Sequence, residues 1–434
     1  MGKEHVQRSP ATEPESAPAG LFHPRPTSLA PDPVCADFLL RCLSFSPRPS
    51  IPDSPLSAHQ WTEVLALADN HGLTPLLYKR LKQSVAQGGV PTDVWKRLRR
   101  AYLVSAGRGT RLFQELRTVL QRLRSSGVNV IGLKGAFLAE AVYGDVALRP
   151  MVDVDLLVRE ADLDKAQAVL IDIGGVQQEF EDIESRIKWR YHLPQVIVRD
   201  LAVEIHWTIA PLIGPVRVDA AGLWDRARPA VIAGVEVLAL CPENLLLHLC
   251  LHAAYNESLG GGLRPLCDIA ETTHRFRDEI DWVKVAERAR EWGASRYVGL
   301  ALHLAGSLLG AGVPDDVLEH LVPGGLDRRV FEAARQSALT RTGYDQWQPF
   351  FDKMRATALG DKAKLSWRRV FLSRDEMAAT YPASRDMRYL YFYYARRVGH
   401  LVRSYTTHTL RRARLMLGRG RDRNAALVRW LKED

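Results

Sequence analysis

The sequence predicts an α+β fold in which a small mixed β-sheet lies between two helical regions. Three observations predict it. Apolar residues recur at helical spacing over 34–126 and again after Pro242. The stretch between them carries short runs with the two-residue alternation of strands. Gly-containing turns and short polar breaks separate those runs. With 434 residues, 46% of them hydrophobic and 25% charged, the chain is long and apolar enough for a substantial core.

In chain order, residues 1–33 are rich in Pro, Ser, Ala and charge (RSPATEPESAPAG, HPRPTSLAPDP) and are expected to be disordered. Residues 34–126 form the N-terminal helical region. Trp61–Leu81 contains a Gly stop and a Thr74-Pro75 opening for the next helix, and a longer amphipathic helix follows from Asp93 to Ser125, with Gly107 as a candidate break. In the core at 127–241, strands are expected at Asn129–Leu133, Val152–Val158, Leu193–Val198, Leu201–Thr208 and Val235–Leu240. Helices are expected at Ala136–Val142 and Ala161–Ile173. Arg199-Asp200 is the expected turn of a hairpin. Residues 242–384 form the C-terminal helical region, with helices in ENLLLHLCLHAAYNES, RPLCDIAETTHRF and DWVKVAERAREWG.

Residues 385–434 form a basic helical tail. It holds thirteen Arg and Lys against four Asp and Glu, which equals the whole formal net charge of +9. Its clustered aromatics and arginines suit an acidic partner: RNA, an anionic lipid surface or an acidic protein. A packed helix with a solvated basic face is the alternative. No apolar run approaches the roughly 20 residues that span a bilayer, and the N-terminus lacks an apolar signal region. A cytoplasmic location is therefore expected. Five cysteines without CxxC spacing predict reduced thiols rather than disulfides or a cysteine zinc site.

The chemistry is concentrated in Val130–Val158, VIGLKGAFLAEAVYGDVALRPMVDVDLLV. Asp153 and Asp155 stand at i and i+2 on a predicted strand and so share one face. Paired carboxylates hold a hard divalent cation beside phosphates. In AVEIHW, Ala202, Glu204 and His206 share a face, so Glu204 is expected either as a third ligand or as the base for an acceptor hydroxyl. His206 is a supporting or acceptor-side candidate. Lys134 in the turn suits β- and γ-phosphates as a point charge, and Arg149 suits a leaving pyrophosphate. Gly135 lies in the same turn. His248 and His252 share a helix face at i and i+4. They line a nucleotide pocket, sit in the core, or bind zinc, although Leu249 removes the HExxH glutamate. Asp268 is expected to pair with Arg264 or to orient a histidine.

The stretch resembles the polymerase-beta-type nucleotidyltransferase superfamily: a strand, a Gly-containing turn, a helix, and a strand reading Val152-Asp153-Val154-Asp155-Leu156. LKGAFLAEAVYGD, LRPMVDVDLLV, VEIHW, LHLCLHAAYN and LRPLCDIAE, over about 60–310, are similar to a bacterial nucleotidyltransferase family, some members of which occur in peptide natural-product gene clusters. The resemblance implies a nucleotidyltransferase core using Mg²⁺ or Mn²⁺. The metal ligands would be Asp153, Asp155 and Glu204, and the nucleotide contacts Lys134, Gly135, Arg149, His206 and His252. It also implies transfer of a nucleoside monophosphate from an NTP, with ATP as the default, to an unidentified acceptor. Where the superfamily turn reads Gly-Ser or Gly-Gly, this chain has Gly135-Ala136 and offers no hydroxyl. A non-catalytic module working through the basic tail, and a tailoring enzyme for a peptide or small molecule, are the alternatives.

Overall fold

The computed structural model describes residues 31–45, 56–83, 89–177, 191–212, 214–340, 391–399, 427 and 429–431. Most of the N-terminal segment expected to be disordered and most of the basic tail lie outside them.

Seven strands form one mixed sheet: β1 Ile131–Gly132, β2 Asp153–Leu157, β3 Val176–Gln177, β4 Val196–Val198, β5 Leu201–His206, β6 Arg228–Ile232 and β7 Val235–Ala239. The order across the sheet is β3-β4-β5-β2-β1-β7-β6. β2 runs antiparallel to β1 and parallel to β5, and β1 runs parallel to β7. The interior strands are apolar because both faces are covered. Val154, Leu156 and Leu157 of β2 and Val203 and Ile205 of β5 are buried. The hairpin expected at Arg199-Asp200 forms between β4 and β5, with Arg199 at φ 54°.

Two strands are additions to the expected set, and both lie at sheet edges. β6 contains Pro229 and is mostly exposed, so it shows no apolar alternation; an edge position tolerates the missing N–H. It joins β7 through Ala233 and Gly234, both at positive φ, which suits a two-residue hairpin turn. β3 is two residues long and pairs with β4.

On the N-terminal side lie helices Pro33–Leu43, Ala58–His71, Thr74–Gln83 and Thr92–Ser125. Ser57 and Gln60 form a reciprocal capping box at the start of the second, and Gly72 at φ 65° ends it. The long helix is continuous from Thr92 to Ser125, so the break expected near Gly107 does not occur. A single glycine weakens a helix by only about 1 kcal/mol, and the buried residues Leu98, Ser105, Gly109, Phe113 and Leu116 carry its packing through that point. This helix rests on β5, β7 and helix Leu163–Asp172.

Helices Pro242–Leu251, Arg264–Arg275, Trp282–Glu291, Ser295–Leu309, Asp315–Leu321 and Arg328–Thr340 follow the sheet. Every residue of Pro242–Leu251 is buried. Helix Pro33–Leu43 packs against Ser295–Leu309, and one hydrophobic core runs through both helical regions and the sheet. Near the C-terminus, Arg296 donates to the carbonyl of Trp430 at 2.6 Å and Tyr297 to that of Leu431 at 3.2 Å, and the Arg296 guanidinium stacks over the Trp430 ring. Residues 391–399 are helical, with Tyr391 and Phe392 exposed. No described helix is long and apolar enough to cross a membrane.

Candidate active site

The parallel register of β2 and β5 builds the site. Asp155 lies directly opposite Glu204, Leu157 opposite His206, and Asp153 opposite Ala202. Because side chains alternate across a strand, Asp153, Asp155, Glu204 and His206 emerge on the same face. His206 Nε2 lies 2.9 Å from Asp155 Oδ1 and 3.6 Å from Glu204 Oε2. From β1, the chain enters the turn through Leu133, whose N–H bonds to the Asp155 carbonyl at 3.1 Å. This brings Lys134 Nζ to 3.3 Å from Asp155 Oδ1.

Lys134 adopts φ 28°, a left-handed conformation that is costly for a residue with a side chain. The next residue, Gly135, is fixed by packing. A Cβ there would lie 2.6 Å from Met151 Sδ and 3.0 Å from Arg149 Nη1. The short helix Lys134–Phe137 then continues as a π-turn over Leu138–Val142.

The charges of this cluster adjust to one another. Burial pushes the Asp153 carboxyl up, and the charges of Asp155 and Glu204 add to that, to about 6. Burial works in the same direction on Asp155, but Lys134 and His206 more than offset it and hold the carboxyl well below the usual range. Glu204 is also held low: burial and Asp155 raise it, while His206 and His192 lower it. Burial disfavours charge on Lys134 and His206, yet the carboxylates around them keep both raised.

Arg149 is tied elsewhere. Its Nε and Nη2 donate to Asp268 at 2.9 and 2.7 Å, and Tyr143 donates to the same carboxylate at 2.8 Å. Asp268 therefore pairs with Arg149 rather than with Arg264, which donates to the carbonyls of His71 and Pro150. Asp268→Asn would leave the Arg149 guanidinium buried without its anion. It is expected to destabilise the protein by about 3–5 kcal/mol, measured as a lower midpoint in chemical denaturation.

His252 sits on the π-turn His252–Asn256 that continues helix Pro242–Leu251, with Nε2 3.5 Å from Glu257 Oε1. The His248 ring lies 6.5 Å from it. Burial drives both imidazoles well below their usual pKa, with Lys134 acting in the same direction. Neither belongs to a group of three metal-donor residues among the described residues. Two such groups occur there: Asp155, Glu204 and His206, and Asp32, Cys35 and Glu63. In the second, the Cys35 thiol donates to Glu63, burial pushes it up to about 12, and Asp32 caps helix Pro33–Leu43.

Two residues that sequence reasoning passed over touch Glu204. Gln195 donates to it at 3.3 Å, and His192 Nδ1 lies 4.0 Å away. The Arg199-Asp200 turn already places Gln195 opposite Glu204, because it sets the pairing of Val196 with Val203.

Two solved structures are among those similar to the chain. A solution structure of the antibiotic-resistance factor ANT(2″)-Ia is 18% identical over 44% of this chain and 95% of that one, with a TM-score of 0.30. A crystal structure of ANT(2″)-Ia in complex with adenylyl-2″-tobramycin is 17% identical over 43% of this chain and 98% of that one, also with a TM-score of 0.30. No curated protein matches the chain. The pattern of the family described as uncharacterised nucleotidyltransferase matches residues 57–310, a span that holds the whole sheet and the buried carboxylate cluster, and the chain belongs to that family.

Proposed function

We propose that the chain is a metal-dependent nucleotidyltransferase that moves a nucleoside monophosphate from an NTP, ATP by default, to an acceptor. One observation carries this reading. Three carboxylates and a lysine converge on one face of the central strands, inside the segment that defines the family. The donor chemistry fits a divalent cation, since Asp155, Glu204 and His206 offer one ligand atom each within 4.8 Å of one another.

Nucleotidyl transfer is an in-line displacement at the α-phosphate, and charge grows on the departing pyrophosphate. A divalent cation, Mg²⁺ or Mn²⁺, supplies charge stabilisation at the phosphates. In this proposal Asp153, Asp155 and Glu204 line its position. Lys134, already charged and directed at Asp155, meets the β- and γ-phosphates. Asp153 completes the acidic face beside the cation, and Glu204 is the candidate base for the acceptor's proton. Arg149 acts through its packing on Gly135 and its tie to Asp268, which brace the turn. His206 orients Asp155, and His252 lines the nucleotide side. The basic tail, on charge alone, recruits an acidic partner: RNA, anionic lipid or protein.

Incubating the full chain with each labelled NTP, Mg²⁺ or Mn²⁺ and fractionated lysate tests the reaction. A fraction that acquires one labelled monophosphate, identified by mass, is the expected result. No labelling with any NTP, together with no calorimetric binding of metal–NTP at millimolar concentration, would return the chain to a non-catalytic module.

A further inference from the structure

We propose that Asp155, Glu204 and His206 form a mixed nitrogen–oxygen site for a divalent transition-metal ion and bind Mn²⁺ in preference to Mg²⁺. The proposal rests on the function above and deepens it by naming the donor set and the metal class.

The donor spacing is that of a single ion's coordination sphere. His206 Nε2 lies 2.9 Å from Asp155 Oδ1 and 3.6 Å from Glu204 Oε2, and one ligand atom from each residue lies within 4.8 Å of the other two. An ion with bonds of about 2.1 Å has adjacent donors about 3 Å apart and opposite donors about 4.2 Å apart. All three groups can therefore reach one ion with small side-chain adjustments. The strands fix their relation, because Asp155 faces Glu204 across the parallel pair and His206 follows two residues later on the same face. Asp153, the other half of the sequence motif, is not part of this close group.

The donor types then select the metal. Mg²⁺ takes oxygen ligands almost exclusively, whereas imidazole nitrogen favours transition-metal ions. His206 can supply that nitrogen. Its Nδ1 is buried without a partner among the described residues, so no other contact there locks the Nε2–H tautomer. Asp155, which hydrogen-bonds Nε2, and Glu204, 3.6 Å from it, are the same groups that would share the ion with it.

A second, independent feature points to a ligand beside this cluster. His248 is 2% exposed, and neither of its ring nitrogens has a partner among the described residues. It lies within electrostatic reach of Lys134, Asp155 and His206. Buried polar atoms are nearly always satisfied, by protein, water or a bound group. Two orphaned nitrogens at this place are the partners that polar atoms, such as water or phosphate oxygens completing an ion's coordination, would satisfy.

Electron spin-echo measurements on the chelator-stripped full chain, loaded with Mn²⁺ alone, test the proposal. The expected spectrum shows nitrogen modulation that changes on ¹⁵N-histidine labelling. The modulation should disappear in His206→Gln and persist in His192→Gln, the control for the other nearby ring. Displacing Mn²⁺ should need at least a tenfold excess of Mg²⁺ in the wild type and no excess in His206→Gln. If His206→Gln does not fold, the labelled wild-type spectrum and the Mg²⁺ competition still decide. No bound Mn²⁺, an oxygen-only spectrum, modulation that survives His206→Gln, or displacement by equimolar Mg²⁺ would each overturn it. NTP-dependent labelling with an oxygen-only spectrum would sink this site and leave the function standing. Nitrogen modulation without labelling would do the reverse.

Discussion

Asp155→Asn is expected to abolish nucleotidyl transfer and to weaken the fold at the same time. Asp155 contacts both cationic neighbours in the site, Lys134 at 3.3 Å and His206 at 2.9 Å. Its own side chain is only 7% exposed. The substitution keeps the shape and removes the charge. Lys134, itself 12% exposed, then loses its nearest carboxylate while remaining largely out of water. Breaking a buried pair from one side costs about 3–5 kcal/mol. Transfer should fall about a thousandfold or more, since losing roughly 4 kcal/mol of transition-state charge stabilisation corresponds to that factor. The stability effect has a defined pH dependence. The folded carboxyl is held below its ordinary value, so its contribution is full above that value, about 4. It is lost as pH falls further, and the gap between wild type and variant closes on acidification. Labelled-monophosphate incorporation at pH 7, and denaturant midpoints at pH 7 and at successive values below about pH 4, measure both effects. Unchanged labelling by a folded Asp155→Asn protein would remove the residue from the mechanism.

The acidic centre was legible in the sequence because it depends on short-range periodicity. Asp153 and Asp155 share a face by strand alternation, as do Glu204 and His206, and the parallel register of β2 and β5 brings the two pairs together. The partners of the long-range charges were not legible. Arg149 finds Asp268 across 119 residues of chain, and its bidentate geometry depends on how the π-turn packs against helix Arg264–Arg275. Nothing local distinguishes Asp268 paired with Arg149 from Asp268 paired with Arg264 four residues before it. Edge strands gave little signal for a related reason. β6 is largely exposed and carries Pro229, so neither burial nor propensity marks it. At Gly107, local propensity pointed to a break, but packing along the buried face of the long helix outweighed it.

Asp153→Asn is expected to have the opposite effect on stability while also removing activity. The folded state holds this carboxyl at about 6, against 3.8 in the ordinary state, chiefly through burial and then through the charges of Asp155 and Glu204. A raised carboxyl favours the protonated form in the folded protein. Its favourable contribution is therefore complete below pH 4 and is lost as pH rises through 6, a change on the order of 3 kcal/mol. Asparagine carries no charge to lose. In metal-free buffer the variant should match wild type near pH 4 and exceed it at pH 8, with a melting temperature several degrees higher. Transfer should fall at least a hundredfold, because a carboxylate lining the proposed cation position is gone. A functional carboxylate kept in place at a cost to stability is the pattern of an active site rather than of a structural ion pair. A loss of stability at pH 8 comparable to that of Asp155→Asn would instead make Asp153 a paired structural acid and remove it from the proposed machinery.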